Sequence, residues 1–462
     1  MSHSHGLSRR HLLKFGPAAA VAGWSWSPAA RALAGESTTA LLHTRLAERG
    51  VGLVAVQVDG DQVDIRAQGV ARQGDAAPLQ RDALFEIGSI TKTFTALLLA
   101  DAVVRGDLRL DGAVQDALPA GTPLRDSAGD PIRWVDLATH RSGLPRLPSN
   151  LAPSSPADPY NGYGEPQLLE FLRDFTPSRA RGAQYEYSNL GFGLLGYALG
   201  RVAGTGYPAL LASRVLEPLA LTDARLALPG RRFERLVDGH DVQRRPVVHW
   251  QQDVIASAGG LVMSGASLGR YAQAAIGIVD TPLRKAFLLC EREHAPGPAP
   301  INPIGLAWLR APLNDRTVLN HDGATAGFSS SLWLDPQRRR AVAVLSNAAV
   351  EVSDLALHLL DDSVPLRDAG RAQPPSIALT PAQLAPLAGV YALNPQFKLT
   401  IDVRDGQLWA QATGQGAFPL FATAPRRFFA KVTPLQVEFD AADLPPALTL
   451  QQGGNTLRFV RE

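Results

Sequence analysis

The sequence predicts an α/β fold: an antiparallel sheet flanked by helices, joined to an all-helical lobe and followed by a small all-β domain. Three observations predict it. Strand pairs lie near both ends of the first 360 residues, the stretch from about 90 to 280 is helix-rich and irregular, and after Ser363 the pattern changes to alternating strands. With 462 residues and 45% hydrophobic content, the chain can bury a sizeable core and fill two or three domains.

The first 34 residues read as an export leader. Ser8-Arg9-Arg10-His11-Leu12-Leu13-Lys14 resembles a twin-arginine signal, a modestly apolar run follows from Phe15 to Trp26, and Ala32-Leu33-Ala34 offers small residues for cleavage. Gly16, Pro17 and Pro28 break the run, which is also too short for a transmembrane span. Removing the leader takes away four basic residues and no acidic ones, so a formal charge of +2 becomes −2. A near-neutral mature chain argues against a nucleic-acid partner. The expected location is periplasmic or secreted, with the export machinery as the precursor's partner.

An amphipathic helix is expected near 38–49, then a strand from Val51 to Gln57, a turn at Asp59-Gly60-Asp61 and a second strand. The next helix is read from Phe94, Leu97, Leu98, Ala100 and Val103, with Ser89 opening it and Gly106 stopping it. Ser330–Leu334 and Ala341–Leu345 form a second hairpin around Asp335-Pro336, before a helix at 351–361. A linker at 366–376 leads to 377–462. There Phe397, Leu399, Ile401 and Val403 alternate with polar residues and Asp405-Gly406 turns, predicting a small β-barrel or sandwich. The single cysteine, Cys290, excludes an intramolecular disulfide and reads as a buried apolar residue.

The chemistry centres on Ser89-Ile90-Thr91-Lys92. On a helix, side chains at i and i+3 lie about 5–6 Å apart, so the Lys92 amine can reach the Ser89 hydroxyl and serve as its base. A helix start also offers unpaired N–H groups to a developing oxyanion. To accept a proton, Lys92 must be neutral, which requires its pKa of about 10.4 to fall by roughly 3 units, about 4 kcal/mol. The chain uses 5 lysines against 40 arginines, and arginine cannot supply a deprotonable amine. A four-residue match is weak by itself. Downstream, Tyr187-Ser188-Asn189 and His321-Asp322-Gly323 follow in order.

Together the three motifs resemble the serine β-lactamase and penicillin-binding-protein superfamily, in particular its class C β-lactamase and D-Ala-D-Ala carboxypeptidase-like branch, over roughly residues 40–360. Phe85-Glu86-Ile87-Gly88, Thr139-His140-Arg141-Ser142-Gly143-Leu144-Pro145, Ala258-Gly259-Gly260-Leu261 and Ser346-Asn347 are similar as well. The resemblance implies a catalytic domain at 35–365 with a cleft between sheet and helical lobe. It also implies Ser89 as nucleophile, Lys92 and Tyr187 as proton carriers, and Asn189, His321 and Gly323 as substrate-binding residues. The Ser89 and Ala324 N–H groups would form the oxyanion hole.

Asn189 is expected to donate an amide hydrogen bond to substrate or to meet Lys92, with a cap on a helix starting at Leu190 as the alternative. Tyr185 is the nearest competitor to Tyr187. Ser188 should point away from the pocket. His321 stands where many relatives carry lysine, which weakens the expectation of a fixed positive charge for a substrate carboxylate. Gly323 is expected to clear a path for a substrate strand. The loop from Pro145 to Gly164 is expected at the site mouth.

No His-Glu-x-x-His or Walker motif competes. His43, His140, His240, His249, His294 and His358 read as separate surface or core residues, so neither metal nor cofactor is expected. The predicted function is an exported hydrolase working through an acyl-enzyme on amide or ester bonds of a small molecule or peptide. Small-ester or D-amino-acid peptide hydrolysis and a slow β-lactam or muropeptide receptor are the alternatives.

Overall fold

The computed structural model describes residues 28–48, 50–152, 157–175, 177–230, 233–298, 303–366, 376–394, 397–404, 406–412, 418–430, 435–452 and 455–462. The twin-arginine motif, the apolar run after it and most of the expected linker lie outside the described residues.

Six antiparallel strands form the main sheet, in the spatial order Gln62–Gly69, Gly52–Asp59, Arg340–Ser346, Ser329–Asp335, Arg316–Ala324, Leu309–Leu313. Both predicted hairpins are present. The first pairs Asp59 with Gln62 across its turn, and the second pairs Asp335 with Arg340. Because side chains alternate along a strand, each strand serves two cores. Val54, Val56 and Val58 face the helical lobe, whereas Leu53 and Ala55 face the terminal helices.

The terminal helices are Pro28–Glu48, which starts ten residues earlier than predicted and runs through the expected cleavage site, and Ser353–Leu360. A buried ion pair between Arg45 and Asp354, at 2.8 Å, ties them together behind the sheet. On the opposite face the Gly265–Ala275 helix comes close, and a Cβ on Gly265 would lie 2.9 Å from both Val54 and Val56 side chains.

The helix carrying Lys92 spans Thr91–Arg105 and ends at Gly106 in the left-handed conformation, as predicted. Ser89 does not open it. Instead Gly88–Ile90 form a separate 3-10 turn just before it. The helix is buried on every side over its first three turns, which suits a central position rather than an amphipathic surface one. Its buried threonines are satisfied: Thr91 accepts from the Leu261 N–H at 3.1 Å, Thr93 donates to the Ile90 carbonyl at 2.8 Å, and Thr95 donates to the Ser257 carbonyl at 2.7 Å.

The C-terminal domain is a closed barrel of eight antiparallel strands between Gly389 and Arg461, which decides between the barrel and sandwich expectations. Closure comes from Tyr391 pairing with Arg461, and the core includes Tyr391, Leu399, Ile401, Phe428, Phe439 and Phe459. Cys290 is buried as expected. Among the described residues, no helix is long and apolar enough to cross a membrane.

Candidate active site

From Ala83 to Ala102 every residue is buried except Ser89, which is half-exposed. Close packing of glycines holds it there. Gly88 has φ +49, a left-handed value that favours glycine, and a Cβ on it would lie 2.6 Å from the Ala324 nitrogen. A Cβ on Gly323 would lie 2.0 Å from the Ile87 carbonyl oxygen, and Ser330 donates to that same oxygen at 2.9 Å. The Ile87–Ser89 turn is thus pinned to the Arg316–Ala324 strand, which brings the Ser89 and Ala324 backbones side by side. Gly323 was expected to leave room for substrate, but that room is taken by Ile87. Past Asn320, which pairs with Leu309, this strand has no register with Leu309–Leu313, so among the described residues no strand covers that edge of His321–Ala324.

Lys92 is fully buried. Its Nζ lies 3.1 Å from Ser89 Oγ, 2.8 Å from Asn189 Oδ1 and 2.6 Å from the Ala258 carbonyl oxygen. Burial, aided by the Arg146 charge, holds its pKa well below the usual lysine range. A neutral amine has two N–H donors and one lone pair. Two of its three neighbours are carbonyl oxygens that can only accept, so both N–H groups are committed and the lone pair is left for the Ser89 hydroxyl proton.

Tyr187 is hydrogen-bonded to Ser89, and burial pushes its phenol up to about 12, so it is protonated at neutral pH. Its ring lies 4.8 Å from Lys92 Nζ. Tyr185 packs edge-on against His140 at 5.6 Å, and among the described residues it makes no hydrogen bond to Ser89 or Lys92. Ser188 points away as expected: it donates to the Pro145 carbonyl at 2.6 Å and accepts from the Gly191 N–H at 2.8 Å, capping the Asn189–Ala203 helix. The cap is therefore Ser188, and Asn189 is the first helical residue. Asn189 uses Oδ1 for Lys92 and donates from Nδ2 to Tyr160 at 3.0 Å.

His321 is buried, with Nδ1 2.7 Å from the Asp322 carbonyl oxygen. Burial, with Lys92 nearby, pulls its pKa down to about 3, so the imidazole is neutral. Asp322 lies on the other face of the sheet, where its carboxylate accepts from Ser331 at 2.6 Å and Ser353 at 3.1 Å.

The sequence reading missed four contributors. The Ala258 carbonyl is a backbone atom, invisible as a residue type. Tyr160 belongs to the loop expected at the mouth, but nothing marked it individually. His140 was read as a separate surface or core residue, yet its ring stacks on Tyr187 at 4.4 Å and its Nδ1 accepts from the Ser188 N–H at 3.0 Å. Arg146 lies with its guanidinium carbon 5.1 Å from the Tyr187 ring centre. Among the described residues no cluster of three or more His, Cys, Asp or Glu side chains could hold a metal.

Comparisons with known proteins give the family of this chain. The family profile described as Beta-lactamase matches residues 39–364. A β-lactamase of Pseudomonas fluorescens is 26% identical over 329 residues, covering 64% of this chain and 88% of that protein. The D-alanyl-D-alanine-carboxypeptidase/endopeptidase AmpH of Escherichia coli K12 is 26% identical over 312 residues, covering 64% and 79%. Among solved structures, a β-lactamase/D-alanine carboxypeptidase from Pseudomonas syringae superposes with TM-score 0.60 at 23% identity, covering 68% of this chain and 94% of that one. The octameric penicillin-binding protein homologue from Pyrococcus abyssi gives TM-score 0.63 at 21% identity, covering 92% and 99%, so its likeness extends into the barrel. With most of the chain from Thr39 onward matched by the family profile, this chain belongs to the Beta-lactamase family of serine hydrolases.

Proposed function

We propose that this protein is an exported serine hydrolase that cleaves amide or ester bonds through an acyl-enzyme on Ser89. The observation that carries the reading is the Lys92 amine, fully buried, with two carbonyl oxygens holding its N–H groups and its third neighbour the Ser89 hydroxyl. In acylation the Ser89 oxygen bonds to the substrate carbonyl carbon while its proton passes to Lys92. The oxyanion rests on the Ser89 and Ala324 N–H groups. Tyr187, protonated and bonded to Ser89, delivers a proton to the leaving nitrogen or oxygen as its bond to carbon breaks, and is recharged from Lys92. Water then repeats the attack in reverse and frees Ser89.

His321 is uncharged, which favours peptides or esters over substrates that need a lysine on this strand. The AmpH likeness supports a D-alanyl peptide as one such substrate. The twin-arginine motif supports export, and replacing Arg9 and Arg10 by lysine should leave the precursor in the cytoplasm on fractionation.

The decisive test incubates residues 35–462 with a fluorescent penicillin and, separately, a neutral fluorophosphonate, and maps the label by mass spectrometry. Label on Ser89, absent from Ser89→Ala, is the expected result. Full turnover of any substrate by Ser89→Ala would overturn the reading. A penicillin label that persists without turnover would identify a slow receptor instead.

A further inference from the structure

We infer that Arg146 is the residue of this site that recognises an anionic group on the substrate, taking the place of a cation on the His321 strand. This inference rests on the serine-hydrolase reading proposed above. Arg146 is exposed, and its guanidinium carbon stands 5.1 Å from the ring centre of Tyr187, the side chain bonded to Ser89. Among the described residues its side chain has neither a carboxylate partner nor a hydrogen-bond acceptor. Three other arginines do have one: Arg141 donates to the Pro296 carbonyl at 2.9 Å, Arg179 pairs with Glu186, and Arg181 lies 3.9 Å from both Asp130 and Asp136.

Its backbone is fixed even though its head group is not engaged. Arg146 lies between Pro145 and Pro148, and its carbonyl accepts from the N–H groups of Asn189 at 3.0 Å and Leu190 at 3.3 Å. The Pro145 carbonyl accepts from Ser188 at 2.6 Å. Two successive carbonyls therefore clamp this loop to the turn that carries Tyr187 and Asn189, so the arginine rides on the catalytic frame. Such an anchor lowers the ordering cost of binding.

Burial pushes Lys92 and His321 toward their neutral forms, whereas an arginine guanidinium is not deprotonated in proteins. The groups whose protonation responds to Arg146 are Lys92, His140, Tyr160, Tyr185 and Tyr187, so the charge bears on the centre of the site. A planar fork of N–H donors that stands over the Tyr187 ring and, among the described residues, has no acceptor fits a carboxylate, which it can bind bidentately.

The test compares two matched pairs of compounds that acylate serine. One is a penicillin and its methyl ester, and the other is the 4-nitrophenyl monoester of glutaric acid and 4-nitrophenyl pentanoate. Second-order acylation rates are measured for wild type, Arg146→Ala and Arg146→Lys, with thermal melting to confirm folding. In at least one pair, Arg146→Ala should lower the preference for the anionic member, read as the ratio of the two acylation rates, about tenfold or more beyond any loss the two members share. Arg146→Lys should restore part of that preference, and added salt should erode it in wild type. An unchanged preference in both pairs, or an equal loss on charged and neutral members, overturns the inference. Labelling of Ser89 by the neutral fluorophosphonate is read in parallel. Its absence would sink the serine-hydrolase reading itself, a failure distinct from a lost preference on a labelled enzyme.

Discussion

The catalytic domain and the barrel handle polar groups in opposite ways. Around Ser89 the amine of Lys92, the imidazoles of His140 and His321 and the phenol of Tyr187 are withdrawn from water, and all are pushed toward their neutral forms. In the barrel the charges stay outside as surface pairs, such as Arg427 with Glu438 at 2.9 Å, whose side chains are 66% and 50% exposed. Its interior is aromatic and aliphatic, with Phe439 edge-on to both Tyr391 and Phe428 at 5.7 Å. The difference teaches where chemistry can reside. Desolvation costs stability but makes an amine basic at neutral pH, and among the described residues the buried amine lies in the first region.

The strongest way to break this comparison is Lys92→Met. The thioether fills a similar volume without a titratable group, so kcat/KM should fall about 10³-fold or more. Melting should shift little, because the removed desolvation cost is offset by leaving Asn189 Oδ1 and the Ala258 carbonyl without their donor. A variant retaining a tenth of wild-type activity would show that Lys92 is not the base.

Gly323→Ala probes the packing that holds the nucleophile. Its Cβ would press on the Ile87 carbonyl and displace the Ser89 turn, and kcat/KM should drop about 10²-fold with substrate binding less affected. Unchanged kinetics would show that the turn is set by other contacts.

His321 sharpens the contrast through pH. Its imidazole protonates near pH 6.5 in the unfolded chain but only near pH 3 when folded. The unfolded state therefore binds more protons between those values. Stability from this group is full above about pH 6.5 and declines as pH falls toward 3, by at most about 1.4 kcal/mol per pH unit. Urea unfolding at stepped pH should show His321→Gln losing less stability on acidification than wild type, and parallel curves would contradict the assigned neutrality.

The smallest effect belongs to the barrel. Arg427→Gln removes one exposed ion pair and should change unfolding free energy by no more than about 1 kcal/mol, with acylation of Ser89 unaltered. A loss of activity here would mean that the barrel acts on the site.

Local pattern made much of this legible. The hairpin at Asp59-Gly60-Asp61, the stop at Gly106 and the paired serine and lysine three residues apart all depend on near neighbours, whose geometry is set by backbone period and turn chemistry. The cap was misplaced by one residue because serine and asparagine both suit it, and the choice fell to Ser188 through the Pro145 carbonyl.

By itself the sequence determined the two hairpins, the stop at Gly106 and the alternating strands of the C-terminal domain, and it singled out Ser89, Lys92, Tyr187, Asn189 and His321 as candidates. Only the tertiary structure decided that Lys92 gives its N–H groups to Asn189 and Ala258, that Gly323 yields its space to Ile87, and that Asp322 faces away from the cleft. The same holds for Tyr160, His140 and Arg146 gathering beside Tyr187 and Asn189. The physical reason is separation along the chain: these contacts join segments far apart in sequence, and the low-dielectric pocket that tunes their protons exists only once those segments have packed.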